Sequence, residues 1–359
     1  MEQLLGTIPT NNLRHCGINP NHWYAVARTQ EVTERPLSVV LWGDNIVLFR
    51  DRTSQIQALE DRCPHRQVKL SSGKQIDGEL ECAYHGWRFN GEGICTAVPY
   101  LQTTQKLPSC RIQRYPVREQ DGLIWLFPGE IKQLKEQALP PLSIPEWEHL
   151  NYIATVAVIE YQGHFSYLAE NLMDMYHGHL HENYQAWASA SLQQLQVDEG
   201  RVDAYYEAQS YYRIDKIWSI SQLFLPGLRR LHPEPLNVSY VYPHWVSTLG
   251  EDFKIYCLFC PVSITQTRAY LIHFTSLNAF WRLHKLPVPF RRWLKNRLYG
   301  SAQRLLNGLV QQDVLMMEQE QQAYENNPHQ SNYELNLAVL RVQKLILQQA
   351  ADSVGCDRQ

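Results

Sequence analysis

Two short stretches, "CPHR" at 63–66 and "CAYHGW" at 82–87, constrain the chain more than anything else in it. Together they read Cys63-x-His65, sixteen intervening residues, then Cys82-x-x-His85. Thiolate and neutral imidazole are the donors that hold zinc or iron, so four of them on two loops point to a metal centre. Zinc sites more often draw a Cys-x-x-Cys or His-x₃₋₅-His pair from a single loop. Here each loop supplies one Cys and one His. That suits a [2Fe–2S] cluster with both thiolates on one iron and both imidazoles on the other. Zinc stays open at this point, and the bland reading is four coincidental loop residues.

With 359 residues the chain is long enough for two domains, each with its own core. From about Trp23 to Pro128, short β-branched and aromatic runs alternate with turn signals. "SVVLW" and "IVLFRD" flank Gly43-Asp44-Asn45 and read as a hairpin, and "GLIWLFPG" reads as a later strand. We expect an all-β domain over 20–130 and a linker over 131–149, where Pro140, Pro141 and Pro145 cluster. A second domain of different character follows over 150–355. "YIATVAVIEY" is its first strand, with a helix through 165–180 and several strands between about 201 and 276. A long Gln-rich helix over about 300–325 and a last helix near 333–350 close the chain. The fold class is α+β.

The formal net charge of −3 gives no reason to expect nucleic acid as a partner. The N-terminus lacks a basic start followed by an apolar core, and no run approaches the roughly 18 apolar residues of a membrane span. Eight cysteines without regular spacing do not make a disulfide framework. We expect a cytoplasmic, reduced protein.

The second half carries the other chemical motif. "ENLMDMYHGHLH", residues 170–181, holds histidines at 177, 179 and 181 just after Asp174. On a helix, residues three or four apart share a face. Asn171, Asp174, His177 and His181 then form one stripe, while His179 lies about 200° around from His177. Two imidazoles at i,i+4 can bind one metal. Gly178 weakens the helix locally, so His179 stays an alternative to His181. A non-haem Fe(II) oxygenase site needs two His and one carboxylate on one side of the metal. In "SAQRLLNGLVQQDVLMMEQEQQAYE", Asp313 falls on the apolar stripe between Leu309/Val310 and Met316/Met317. A buried carboxylate must pair with a metal or a cation. An ion pair with a buried Arg is its bland alternative.

These motifs together resemble the catalytic alpha subunit of the Rieske non-haem iron oxygenases, the aromatic-ring hydroxylases. "CPHRQ" and "CAYHG" lack the extra cysteine pair of respiratory Rieske proteins. "NLMDMYHGHLH" is similar to that family's Asn-x-x-Asp-x-x-His motif, and "QQDVLMMEQEQ" to its late Asp-bearing helix. The resemblance implies an N-terminal Rieske domain followed by a helix-grip (START/Bet v 1-like) catalytic domain. It implies a [2Fe–2S] cluster on Cys63, His65, Cys82 and His85, and mononuclear Fe(II) on His177, His181 and Asp313. Asn171 would support these ligands. Asp174 would bridge the iron to a cluster histidine of a neighbouring subunit in a homotrimer. Electrons would arrive from NAD(P)H through a reductase or ferredoxin. O₂ would then hydroxylate, dihydroxylate or demethylate a small organic substrate, aromatic or lipophilic. Most members place four residues between the iron histidines; His177 and His181 have three, and the longer spacing would make Glu182 the second ligand. The runner-up function is a Rieske electron carrier without oxygenase activity; a zinc-stabilised interaction protein is the third.

Two features fall outside these motifs. Cys257-x-x-Cys260 lies in an apolar run and reads as buried thiols rather than a redox pair. The stretch 281–297 carries six Lys/Arg, several aromatics and no acid. It could lie on a membrane surface or dock an acidic ferredoxin; a solvated basic edge is the bland reading.

Overall fold

The computed structural model describes residues 13–102, 104–136, 139–181, 187–210, 225, 228, 230–279, 283–330 and 332–355. The chain divides into two compact units, one of residues 20–144 and one of residues 1–19 with 145–359.

The first described unit is built of ten short strands: β1 (Tyr24–Arg28), β2 (Leu37–Leu41), β3 (Asp44–Arg50), β4 (Ile56–Glu60), β5 (Lys74–Ile76), β6 (Glu79–Glu81), β7 (Arg88–Phe89), β8 (Cys95–Ala97), β9 (Val117–Gln120) and β10 (Leu123–Leu126). They form three small sheets, ordered β1-β10-β9, β2-β3-β4 and β5-β6-β7-β8. Val47, Leu59, Leu70, Leu80 and Phe89 pack into one core with Cys63 and Cys82. The hairpin expected around Gly43-Asp44-Asn45 turns one residue earlier. Leu41 pairs with Asp44, so Trp42 and Gly43 make the turn, with φ of 48° and 88°. A two-residue turn of that hand suits the twist of the flanking strands. A short helix, α1 (Ile131–Glu136), lies in the stretch read as linker.

The second unit is a seven-stranded antiparallel sheet. Its strands are β11 (Tyr152–Tyr161), β12 (Trp187–Asp198), β13 (Arg201–Ser210), β14 (His232–Val241), β15 (His244–Leu249), β16 (Phe253–Ser263) and β17 (Gln266–Ser276). The order is β11-β17-β16-β15-β14-β13-β12, so from β12 to β17 each strand pairs with the next in sequence and the first strand closes against the last. Helix α2 (Phe165–Met173) follows β11, and α3 (Val288–Asn326) and α4 (Leu337–Gly355) end the chain. Helix α3 runs alongside β11 in register. Gln303 exchanges two hydrogen bonds with the Val156 backbone, at 3.2 and 2.9 Å, and the Gln321 side chain accepts from His164 N–H at 3.1 Å. This long helix against a curved antiparallel sheet is the helix-grip arrangement. It begins twelve residues before the 300 read from sequence, because the polar and basic segment continues the helix without a break.

Candidate active site

In the first unit the two loops repeat one backbone device. Cys63 N–H donates to Val68 O at 2.8 Å and Gln67 N–H returns to Cys63 O at 2.8 Å; Cys82 N–H donates to Trp87 O at 2.9 Å and Gly86 N–H returns to Cys82 O at 3.0 Å. Each loop reverses at a left-handed residue, Gln67 with φ 63° and Gly86 with φ 71°. A side chain at Gly86 would also meet the Pro99 ring at 2.9 Å. Both cysteines are buried, and both histidines lie at the rim. The imidazoles are 4.6 Å apart between centroids, and His65 stacks on Trp87 at 4.7 Å. Burial pushes the Cys63 thiol up to about 11, against the pull of the His65 and Arg66 N–H groups, while neighbouring Cys82 adds to the rise. The Nδ1 atoms of His65 and His85 are buried and hydrogen-bond no protein group. Two crowded buried sulfurs and two orphaned ring nitrogens fit a [2Fe–2S] cluster, whose irons would satisfy all four.

In the second unit the helix expected through 165–180 breaks at Asp174. Helix α2 ends at Met173, Asp174 adopts an extended conformation, and Met175–His181 forms a separate 3-10 helix. The cause is local. The Asp174 carboxylate accepts from Tyr176 N–H at 3.0 Å, a capping bond that competes with continuing the first helix. One continuous stripe from 171 to 181 therefore does not exist. Its members still converge, because α2, the 3-10 helix and α3 are packed around them.

His177 Nε2 is 3.7 Å and His181 Nε2 3.0 Å from Asp313 Oδ1. The ligand atoms of the three residues all lie within 4.8 Å of one another. The His177 and His181 rings meet edge to face, with centroids 5.1 Å apart. Asp313 and His181 are buried, and His177 is partly so. His181 Nε2 makes no hydrogen bond despite its short distance to the carboxylate. This nitrogen points at the Asp313 carboxylate, on the side where a metal ion would sit. Burial lowers the His177 pKa, only partly offset by Asp313; at His181 burial is outweighed by the carboxylate and the pKa rises. The donor set fits mononuclear iron with one side left open.

Two neighbours steady the group. Asn171 Nδ2 donates to Asp313 Oδ1 at 3.3 Å. Gln312 Oε1 lies 2.9 Å from His181 Nδ1, accepting its proton and leaving Nε2 for the metal side. Gln312 escaped the sequence reading because adjacent helix positions diverge by 100°, so a stripe through Asp313 does not include it. His179 is exposed and its Nδ1 faces Tyr176 O at 3.4 Å, away from the group. Glu182 lies outside the described residues. The Asp174 oxygen that accepts from Tyr176 N–H, Oδ1, also accepts from Asn336 Nδ2 at 3.0 Å.

Beside this group is a cavity of about 190 Å³ that opens to solvent. Leu172, Leu236, Trp245, Phe253, Leu306 and Leu309 dominate its walls, and no Lys or Arg is among the described residues lining it. Cys257 and Cys260 are fully buried in β16. Three apart on a strand, they point to opposite faces and cannot pair.

Residues 22–116 match the Rieske [2Fe-2S] domain. The chain is 32% identical to a 4β-methylsterol monooxygenase of Methylococcus capsulatus over 352 residues, covering 94% of this chain and 89% of that protein. It is 32% identical over 194 residues to a vanillate O-demethylase oxygenase subunit of a Pseudomonas species, about half of each chain (53% and 51%). The fold is similar to that of dicamba monooxygenase bound to dicamba, with a TM-score of 0.71 at 20% identity, over 95% of this chain and 99% of that one. The chain belongs to the Rieske non-haem iron oxygenases. It is an oxygenase whose cofactors are a Rieske [2Fe–2S] cluster and a mononuclear non-haem iron.

Proposed function

We propose that this chain is the oxygenase of a multicomponent system and oxidises a bulky, lipophilic substrate of the sterol class. The observation that carries this is the convergence of His177, His181 and Asp313 in the wall of a large apolar cavity. The near full-length relative that acts on a 4β-methylsterol supports the substrate class. In this reading Cys63, His65, Cys82 and His85 hold the cluster, and His177, His181 and Asp313 hold the iron. Bound there, the iron supplies O₂ activation, with electrons delivered through the cluster. The chain's own residues do the rest. Gln312 fixes the His181 tautomer, Asn171 orients the Asp313 carboxylate, and the apolar walls exclude water and hold a C–H bond at the open side.

A ferredoxin or an NAD(P)H-dependent reductase is the electron donor in this scheme. The working form is a homotrimer, in which Asp174 links His177 to His65 or His85 of the neighbouring subunit. The protein is cytoplasmic and touches a membrane surface through 281–297. Phe290 and Trp293 support this contact, since both are about half exposed (49% and 57%) and pack together at 5.2 Å on the outer face of α3. No Asp or Glu occurs from Phe253 through Gln312. No described helix is long and apolar enough to cross a membrane. Arg291 donates to Asn151 and is turned inward, so among the described residues of this segment the exposed cations are Lys285, Arg292 and Arg297.

The test is reconstitution with NAD(P)H, a ferredoxin and its reductase, and a 4-methylsterol under ¹⁸O₂. Label in a hydroxylated sterol is the expected result. A cluster that cycles with no product from any lipophilic substrate would return the chain to an electron carrier. For the membrane contact, W293S and R297E should weaken pelleting with anionic vesicles; unchanged pelleting leaves only a solvated basic edge.

A further inference from the structure

Away from the iron group, the polar side chains lining the cavity are Ser247, His273 and Thr275 on the sheet. Ser247 on β15 lies opposite Ile255 on β16, and Ile255 lies opposite His273 on β17, so the three cross the sheet side by side on the face that lines the cavity. His273 Nδ1 meets Thr275 Oγ1 at 3.3 Å. Among the described residues, neither His273 Nε2 nor the Ser247 hydroxyl hydrogen-bonds any protein group. Polar groups enclosed in this way are ordinarily paired. Protein surrounds His273 on all sides, yet it keeps accessible surface, as a side chain facing an internal cavity does.

The row's position along the site follows from α3. Gln303 is bonded to Val156, which lies opposite Ile272, the neighbour of His273. Asp313 comes ten residues later on the same helix, ~15 Å at 1.5 Å per residue. The polar row therefore lies well away from the iron group, with Leu249, Phe253 and Thr275 lining the cavity beyond it.

We infer that Ser247 and His273 form a subsite for a neutral oxygen function, a hydroxyl or ketone, at the end of the substrate remote from the carbon that is oxidised. This rests on the lipophilic-substrate reading above and narrows it. A carboxylate is disfavoured on two grounds. The described residues of the lining include no Lys or Arg, and burial holds His273 down at about 4, leaving the imidazole uncharged at neutral pH. A neutral imidazole and a hydroxyl can each donate to a ketone or accept from an alcohol.

Titration calorimetry on the holoprotein tests this with two matched series. One is a 17β-hydroxysteroid, its 17-ketone and its 17-deoxy analogue, with the oxygen at the far end of the ring system from C4; the other is 2-naphthol, naphthalene and 2-naphthoate. We expect the alcohol and ketone to bind about tenfold more tightly than the hydrocarbon, the weight of one buried hydrogen bond, with naphthoate weakest. Ser247→Ala and His273→Leu should each shrink that preference, and His273→Gln should keep most of it, with cluster absorption and iron content unchanged. Alcohol preference among the naphthalenes with no steroid binding would support the subsite and remove the sterol reading. Equal binding of alcohol and hydrocarbon in both series, tighter binding of naphthoate, no binding in either series, or an undiminished preference in both Ser247→Ala and His273→Leu would overturn the subsite.

Discussion

A carboxylate on an apolar helix stripe is too costly to leave unpaired, and Asp313 has two imidazoles within reach, at 3.0 and 3.7 Å. Asp313→Ala should lose the mononuclear iron and all turnover while the cluster's paramagnetic signal persists. Iron analysis beside the low-temperature spectrum checks both. The histidines separate in the same assay, since His181→Ala should lose iron and the exposed His179→Ala should keep it. Iron loss in the His179 variant would mean that the 3-10 helix presents a different ring. Gln312→Leu removes the acceptor of the His181 Nδ1 proton without touching the ligand set. Loss of such a partner weakens metal binding by about 10- to 100-fold, so iron should leave at lower chelator concentration.

At the scale of elements, the start of α2 carries a buried histidine. His164 is fully buried, caps the helix by accepting from Ser166 N–H at 3.3 Å, and its Nε2 meets Cys16 O at 3.0 Å. Burial, helped by the charge of Arg14, brings its pKa from 6.5 down to about 3. The folded state therefore binds fewer protons than the unfolded state between those two values, and stability rises with pH across that window. The contribution is complete above about pH 6.5 and falls by about 1.4 kcal/mol per pH unit on the way down. His164→Gln should be less stable at pH 7, having lost the cap, yet should show a shallower decline from pH 6.5 to 4.5. Urea midpoints at several pH values give the comparison, and parallel slopes in both proteins would rule out His164 as the titrating group.

Over the whole molecule, the residues proposed to hold the two metal centres lie in separate compact units. His85→Ala should abolish the cluster signal and leave the mononuclear iron at its normal content. Loss of both metals would show that the units do not fold independently of the cluster. Communication between centres is a different matter, and in the scheme proposed above it falls to Asp174. Asp174→Asn keeps the size and the acceptor oxygen that Tyr176 and Asn336 use, but removes the charge. We expect it to retain both metals and to accept electrons at the cluster, with single-turnover product falling sharply. Wild-type single-turnover rates would reduce Asp174 to a helix cap.

The metal-binding chemistry was legible in the residues because donors are rare, chemically distinctive and held at short spacing. Cys63, His65, Cys82 and His85 sit within two loops, and the isolated Asp313 stands out against the apolar stripe that surrounds it. Strands such as Tyr152–Tyr161 were equally legible, since their length and β-branched content need no partner to be recognised. What the linear pattern misjudged was continuity. It carried one helix past Asp174, where a side chain bonding its own backbone ends it, and began α3 twelve residues late, where basic and aromatic residues hide a helical segment. Only the tertiary structure brought Gln312 to His181 and Asn336 to Asp174, contacts between side chains 131 and 162 residues apart. It alone aligned Ser247, Ile255 and His273 across three strands. That row is set by strand register, which depends on every hairpin between them and leaves no periodic trace in the chain.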